Sequence, residues 1–336
     1  VNVLPNSKIR ILRQQVEADI LFALGEGDAR GETLADLGKG HGHDSSATLQ
    51  ALNKLHRDKL IGISGANWYR LTNDGALALL FLLDRLPKRL RKEIQPPFSW
   101  GLTPTNGHLE VGLQAAGAWH YWTLFDDRGA HNVLVAGSSG SGTTNALRVL
   151  LQATAKSDLV RVWAADPAFD LDRAGEFGID RLERDNDGIE VLIDDVLQVI
   201  ERRHQVLAEN GDARWTGPTR GMPLGILMLT GAAQIFERHP DWMHRILRAG
   251  RKVGVMVAAE VGDLTLRTFQ NVPIRDSFLA DNVLILRMVS EASIPTIKML
   301  PEGLPPIPRW INNLYVPSSG IGYDQDGTLL RSIYVP

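Results

Sequence analysis

Apolar residues recur along this chain in two regimes, one helical and one alternating between short buried runs and helices. In the first, Ile11, Leu12, Val16, Ile20 and Leu21 fall on one face and predict an amphipathic helix over Ile9–Leu24. Gly25–Gly31 breaks it, and Glu32–Leu37 reads as a short second helix. Asp44-Ser45-Ser46 offers N-cap chemistry for a third helix, Ala47–Leu60, with Leu49, Leu52 and Leu55 expected inward. Ile61–Ile63 and Trp68–Leu71 flank a turn at Ser64–Asn67, the pattern of a small hairpin. Thr72-Asn73-Asp74 then caps a helix over Ala76–Glu93, striped by Leu77, Leu79, Leu80, Leu83 and Leu86 and ending in Lys88-Arg89-Leu90-Arg91-Lys92.

The second regime begins after Gln95-Pro96-Pro97-Phe98, whose consecutive prolines favour extended backbone and mark a linker. A strand pair is expected at Leu109–Leu113 and Trp119–Leu124. Buried runs follow at Val133–Ala136, Val160–Ala165, Leu224–Leu229, Val253–Ala258 and Asn282–Arg287. Between them lie helical spacings from Thr144, over Asp187–Asn210 and over Asp241–Gly250, with a helix or loop at Leu264–Asn271. Strands alternating with helices predict an α/β domain with a mostly parallel sheet covered on both faces. The expected organisation is therefore residues 1–95, a linker at 96–108, and an α/β domain over 109–336.

Composition narrows the class without naming it. The chain has 336 residues, 44% hydrophobic and 22% charged, enough for two packed cores. No apolar run reaches the length of a membrane span and Val1–Arg13 lacks a signal-peptide pattern, so a cytoplasmic chain is expected. The absence of cysteine excludes disulfides, thiolate nucleophiles and cysteine zinc sites. His41 and His43 are the closest approach to a metal spacing, and a solvated loop accounts for them better. A net charge of −3 means that any nucleic-acid surface must be local.

The chemistry concentrates at Gly137-Ser138-Ser139-Gly140-Ser141-Gly142-Thr143-Thr144-Asn145, between the run Val133–Ala136 and a helix. A strand, a glycine loop and a helix N-terminus make a phosphate cradle, because the glycines let N–H groups turn inward and the helix dipole favours an anion. The spacing Gly137-x4-Gly142-x-Thr144 is that of the P-loop with one residue changed. Where that loop carries its lysine, this chain has Thr143, which supplies no cation for the β- and γ-phosphates. Thr144, the hydroxyl that meets magnesium if the metal is bound, is retained.

Two resemblances extend this reading. Helix, short helix, longer helix and hairpin, with Ala47–Gly75 as the closest segment, resembles a winged helix-turn-helix. That resemblance implies that Ser45, Ser46, Thr48, Gln50, Asn53, Lys54 and Arg57 face a major groove, with Asn67 and Arg70 on the wing touching phosphate or minor groove. Protein docking is the other established use of such modules. From Leu109 onward, the P-loop entry at His131–Gly137, Asp166-Pro167, Glu201-Arg202-Arg203, Arg248–Val255, Leu286–Ser290 and Ser319–Tyr323 resemble, in order, the motor domain of the FtsK/SpoIIIE family of DNA translocases, which includes actinobacterial plasmid-transfer proteins.

The resemblance implies a RecA-like P-loop NTPase fold, and the departures from it bear on activity. The family's third strand ends in aspartate-glutamate, whereas here Leu229 is followed by Thr230-Gly231. Glu260 stands where the family has its sensor glutamine, and a carboxylate there repels γ-phosphate unless it is protonated or paired. With Thr143, Thr230, Gly231 and Glu260 all altered, the expectation is a pseudo-ATPase that binds double-stranded DNA and assembles with itself or with an active homologue. ATP or ADP with magnesium would be held weakly or not at all. Arg248, Arg251 and Arg287 are candidates for facing a neighbour's nucleotide site, and Lys252 or Glu237 for rescuing a working one. An active translocase with an unorthodox site, and a transcriptional regulator whose α/β domain dimerises or senses a ligand, are the competing readings.

Overall fold

The structure, a computed structural model of the full chain, describes residues 16–17, 20–21, 24, 29–40, 44–65, 68–72, 107–114, 119–155, 157–171, 178–288, 310–311, 314–315 and 320–332. The helix expected over Ala76–Glu93, the linker at Gln95–Phe98 and wing residue Asn67 lie outside the described residues.

In the N-terminal part, β1 (Ala29–Arg30) precedes α1 (Gly31–Gly40) and α2 (Ser45–Arg57), and β2 (Ile61–Gly65) turns back into β3 (Trp68–Leu71). These strands form one antiparallel sheet in the order β1-β3-β2. Asp44 caps α2 as expected, its Oδ1 accepting from the Ala47 N–H at 2.6 Å. The phase of α2 differs from the expected one. Thr48, Ala51, Leu52 and Leu55 are its buried residues, whereas Leu49 is 57% exposed. Steps of three, as in Leu49-Leu52-Leu55, drift around a helix of 3.6 residues per turn, and the observed i, i+3, i+4, i+7 set stays on one face. Thr48 is therefore removed from the outward set, and its hydroxyl turns back to the Asp44 carbonyl at 3.3 Å.

The larger part begins with the hairpin β4 (His108–Gln114) and β5 (Trp119–Thr123), followed by the small ribbon β6 (Phe125–Asp126) and β7 (Gly129–Ala130). Then come β8 (Val133–Ala136), α3 (Thr143–Thr154), β9 (Val160–Ala165), β10 (Arg181–Glu183) and α4 (Asn186–Asn210). After α4 run β11 (Leu224–Leu229), α5 (Ala232–Arg238), α6 (Pro240–Ala249), a 3-10 turn at Gly250–Val253, and β12 (Val255–Val261). The chain continues with α7 (Leu266–Phe269), α8 (Val272–Leu279), β13 (Asn282–Leu286), β14 (Trp310–Ile311), β15 (Leu314–Tyr315), β16 (Ile321–Asp324) and β17 (Leu329–Ser332).

Ten of these strands form one sheet in the order β10-β9-β11-β12-β8-β13-β16-β17-β4-β5. From β10 to β13 every pairing is parallel, and from β13 onward the pairings are antiparallel. Every residue of β8, β11 and β12 is buried, as expected of parallel strands covered on both faces. β12 starts later than its apolar run suggested. Gly254 adopts φ +72 beneath the Trp215 ring, where an added Cβ would lie 2.5 Å from ring atoms, and this tight reversal delays the strand to Val255. β12 therefore extends to Val261 and carries Glu260 within it. At the far side, β13 stops at Leu286, so Arg287 leaves the sheet. The strand Arg181–Glu183 and the helices Ala232–Arg238 and Val272–Leu279 had no counterpart in the expected elements. Phe236, Phe269 and Phe278 anchor α5, α7 and α8 to one another, with ring centroids 5.7 to 6.3 Å apart.

A buried polar network closes the N-terminal ends of β8 and β13. His131 Nε2 lies 2.9 Å from Asp126, and Nδ1 lies 3.2 Å from Asp281. Asp281 also meets Arg251 at 3.2 Å and accepts from the Asn132 backbone and side chain at 3.0 Å. Arg251 is thus committed to this edge, where Nε also donates to the Ala130 carbonyl at 3.2 Å.

Candidate functional site

The glycine loop leaves β8 between two strands that grip its first residues. The Gly137 N–H donates to the Val261 carbonyl at 2.9 Å, and the Ser138 N–H to the Arg287 carbonyl at 3.0 Å. Gly140 at φ +72 and Gly142 at φ +103 are left-handed, a conformation that costs L-residues with a Cβ. Gly137 is required for space, because a Cβ there would lie 2.4 Å from Ser141 Oγ. Gly320, just before β16, donates its N–H to the Ser141 carbonyl at 2.6 Å and holds the loop from the C-terminal hairpin. Ser139 and Gly140 are exposed, Ser141 is buried, and Ser138, Gly142, Thr143, Thr144 and Asn145 are half-buried. Helix α3 starts at Thr143, so its N-terminus opens onto the loop as the sequence required.

The altered positions converge on this loop. Thr144 donates to Glu260 Oε2 at 3.1 Å, and Thr143 and the Gly231 N–H also bond to that carboxyl. Burial, followed by the charge of Asp170, pushes the Glu260 carboxyl up to about 7, and the three hydrogen bonds pull against that shift. Glu260 is therefore partly protonated near neutral pH and hydrogen-bonded, which weakens the repulsion that a fully ionised carboxylate would impose there. One strand further out, Thr230 turns its hydroxyl to Asp166 at 2.5 Å. Asp166 is fully buried and also accepts from the N–H groups of Asp170 and Leu171 and from Arg184.

The sequence reading missed Arg184 and Asp170, since nothing local marks them. Arg184 follows the unforeseen strand β10, and Asp170 lies in the loop after β9. Arg287 was singled out, but as facing a neighbour. It turns inward instead, 9% exposed, and its guanidinium donates to the Ser139 carbonyl of the glycine loop at 3.1 Å. Lys252 is exposed in the 3-10 turn before β12, at the opposite end of that seven-residue strand from the loop, roughly 23 Å away along it. It cannot serve the cradle from there. Glu237 and Arg248 are exposed on α5 and α6.

Chemically, the site offers a phosphate cradle, one guanidinium beside it and one carboxyl held partly neutral. The phosphate part fits an anion, because the glycines keep the space open and Arg287 adds charge. The usual partners of a divalent cation are changed: Thr144 is bonded to Glu260, and the third strand ends in a threonine and a glycine.

Of the residues expected to meet DNA, Ser45, Ser46, Gln50, Asn53, Arg57 and Arg70 are exposed. Lys54 is exposed but ion-paired with Glu17 at 2.6 Å. Thr48 is buried, as described above.

A central parallel sheet in this strand order, with a glycine loop between the β8 strand and its helix, is a RecA-like P-loop NTPase fold. Solved structures share it. The conjugation coupling protein TcpA of pCW3, in a monomer form with ATPγS, matches 86% of this chain and 82% of its own with a TM-score of 0.55 at 14% identity. The cytoplasmic domain of the Type VII secretion ATPase EccC from Thermomonospora curvata matches 72% of this chain with a TM-score of 0.53 at 18% identity. A structure of ATPases 2 and 3 of the same EccC, bound to a signal sequence peptide, covers 87% of this chain with a TM-score of 0.52 at 13% identity. This chain spans only 30% and 48% of those two EccC chains. At such identities the likeness is one of fold. No protein-family model matches the chain, and no curated protein matches it. Among the described residues, no helix is long and apolar enough to cross a membrane.

Proposed function

We propose that this chain is an FtsK/SpoIIIE-like pseudo-ATPase subunit of a macromolecular transfer system, coupling a degenerate P-loop domain over residues 109–336 to a DNA-binding winged helix within residues 1–95. The observation that carries this reading is the bond from Thr144 to Glu260. The hydroxyl that would meet magnesium is committed to a buried carboxyl, while the strand that normally ends in two acids ends in Thr230-Gly231. Phosphoryl transfer depends on a cation at the transferred phosphate and on a carboxylate base that orients and deprotonates water, and neither occupies its usual position. The naming of the neighbours as secretion and conjugation proteins supports a role in transfer. The strand order β1-β3-β2 beside α1 and α2 supports a winged helix, and the exposed Ser45, Ser46, Gln50, Asn53, Arg57 and Arg70 support a duplex partner.

Phosphate release from ATP with magnesium or manganese, measured with and without duplex DNA, tests the reading. No release above the buffer rate is expected, together with duplex binding whose affinity falls as salt rises. DNA-stimulated release abolished by Gly142→Val would sink it. That outcome would favour the second reading, an active translocase with an unorthodox site, for which Arg287 and Glu260 beside the loop are the specific support.

A further inference from the structure

We propose that Glu260 is a built-in stopper of the glycine-loop cradle. Its carboxyl fills the corner between the start of α3 and the end of β11 that the last phosphate of a nucleoside triphosphate would take, so the site favours a diphosphate over a triphosphate. The inference rests on reading Gly137–Thr144 as a nucleotide loop and deepens the pseudo-ATPase reading. It concerns binding and not turnover.

Three observations carry it. First, the sheet delivers Glu260 to this corner. β12 lies between β11 and β8, with Glu260 paired to Val135, two places before Gly137, and Ala259 paired to Leu229, two places before Gly231. Second, the carboxyl is bonded from both sides of the corner. Thr144 donates to Oε2 at 3.1 Å from the first turn of α3, and Thr143 joins it there. From the other side comes the N–H of Gly231, a residue left-handed at φ +56 where the chain leaves β11. In a P-loop, the residue in the place of Thr143 reaches the β- and γ-phosphates, and the hydroxyl in the place of Thr144 meets the metal that bridges them. A group bonded to both residues stands where the γ-phosphate would. Third, a second acid backs it. Arg148, one turn along α3 from Thr144, donates to the Asp170 carbonyl at 2.8 Å and ties that loop over the same end of the sheet. The charge of Asp170 is felt at Glu260.

Glu260 has little room to leave, because it is 7% exposed in a strand buried along its whole length. A third phosphate would have to displace a carboxyl held by three donors, beside a second acid of its own sign. A shorter ligand avoids that corner and lies against the crest of the loop, where Ser139 and Gly140 are exposed.

Calorimetric titration of the full chain with ADP and with ATP, each with and without magnesium, tests the proposal. The wild type is expected to bind ADP at least about tenfold more tightly than ATP. Glu260→Ala, which empties the corner, should gain at least about tenfold for ATP and little for ADP. Glu260→Gln keeps the shape and removes the charge, so its ATP affinity should fall between the two. Glu260 is buried, so the alanine variant counts only with a wild-type thermal transition. Where that is lost, the glutamine variant and the wild-type preference for ADP carry the test. ATP bound by the wild type as tightly as ADP, ATP affinity unchanged in the folded variants, or no binding by any of these proteins overturns the proposal. Each of those results leaves the pseudo-ATPase reading standing. ATP turnover by the wild type sinks that reading instead, and the affinities still decide this one.

Discussion

Glu260 and His131 both titrate abnormally, each for a cause visible in its surroundings. Glu260 is raised from its ordinary 4.5 to about 7, first by burial and then by Asp170. Between those values the native state holds a proton that the unfolded chain has released, so stability falls as pH rises from 4.5 to 7 and is flat above. The whole shift corresponds to roughly 3 kcal/mol as an upper figure. Glu260→Gln keeps the shape and removes the titration. Its urea midpoint should change less between pH 5 and 8 than that of the wild type, and a parallel decline in both would show that Glu260 is ordinary. His131 is also raised, chiefly by its hydrogen bond to Asp281 and then by Asp126. Its stabilising contribution is present below the ordinary histidine value and is lost as pH rises through the raised one, a second decline that His131→Gln should abolish. Gly254 makes a harsher demand. With φ +72 and the Trp215 ring against it, Gly254→Ala should cost more than about 2 kcal/mol, read from thermal or urea unfolding.

At the scale of elements, the phase of α2 and the ends of β12 and β13 decide which residues can act. Leu49 is 57% exposed and Leu52 is buried, so Leu49→Ala should change stability by less than about 0.5 kcal/mol while Leu52→Ala costs roughly 2–4 kcal/mol. Equal losses would restore the inward Leu49 that the leucine spacing suggested. The central strands Val133–Ala136, Val160–Ala165 and Leu224–Leu229 were legible to the residue, because a short apolar run bounded by turn formers has few other fates in an α/β chain. β12 was misplaced because Val253 belongs to the apolar run but is held in a 3-10 turn by the reversal at Gly254. Arg181–Glu183 escaped notice because an edge strand of three half-buried residues has no apolar run to betray it.

Across the whole molecule, β16 and β17 bridge the parallel strands to the β4–β5 hairpin, and Gly320 at their start bonds to the glycine loop. Removing residues 320–336 would expose the edges of β13 and β4 and release the Ser141 carbonyl. Such a truncated chain should aggregate, or melt well below the full chain, as followed by light scattering on heating. A truncation that stays monodisperse with an unchanged transition would mean that the hairpin is an ornament on the sheet.

The alternation of buried runs and helices, and the glycine spacing from Gly137 to Thr144, were determined by the sequence alone. Strand burial and left-handed turns are local demands that particular residue types meet. Only the tertiary structure decided the charge around that loop. Glu260 and Arg287 are far from it in sequence and reach it because β12 and β13 are the two strands that pair with β8. Pairing between distant strands is set by the packing of the whole sheet, so the guanidinium at Ser139 and the carboxyl at Thr144 could not be placed from their neighbours in the chain.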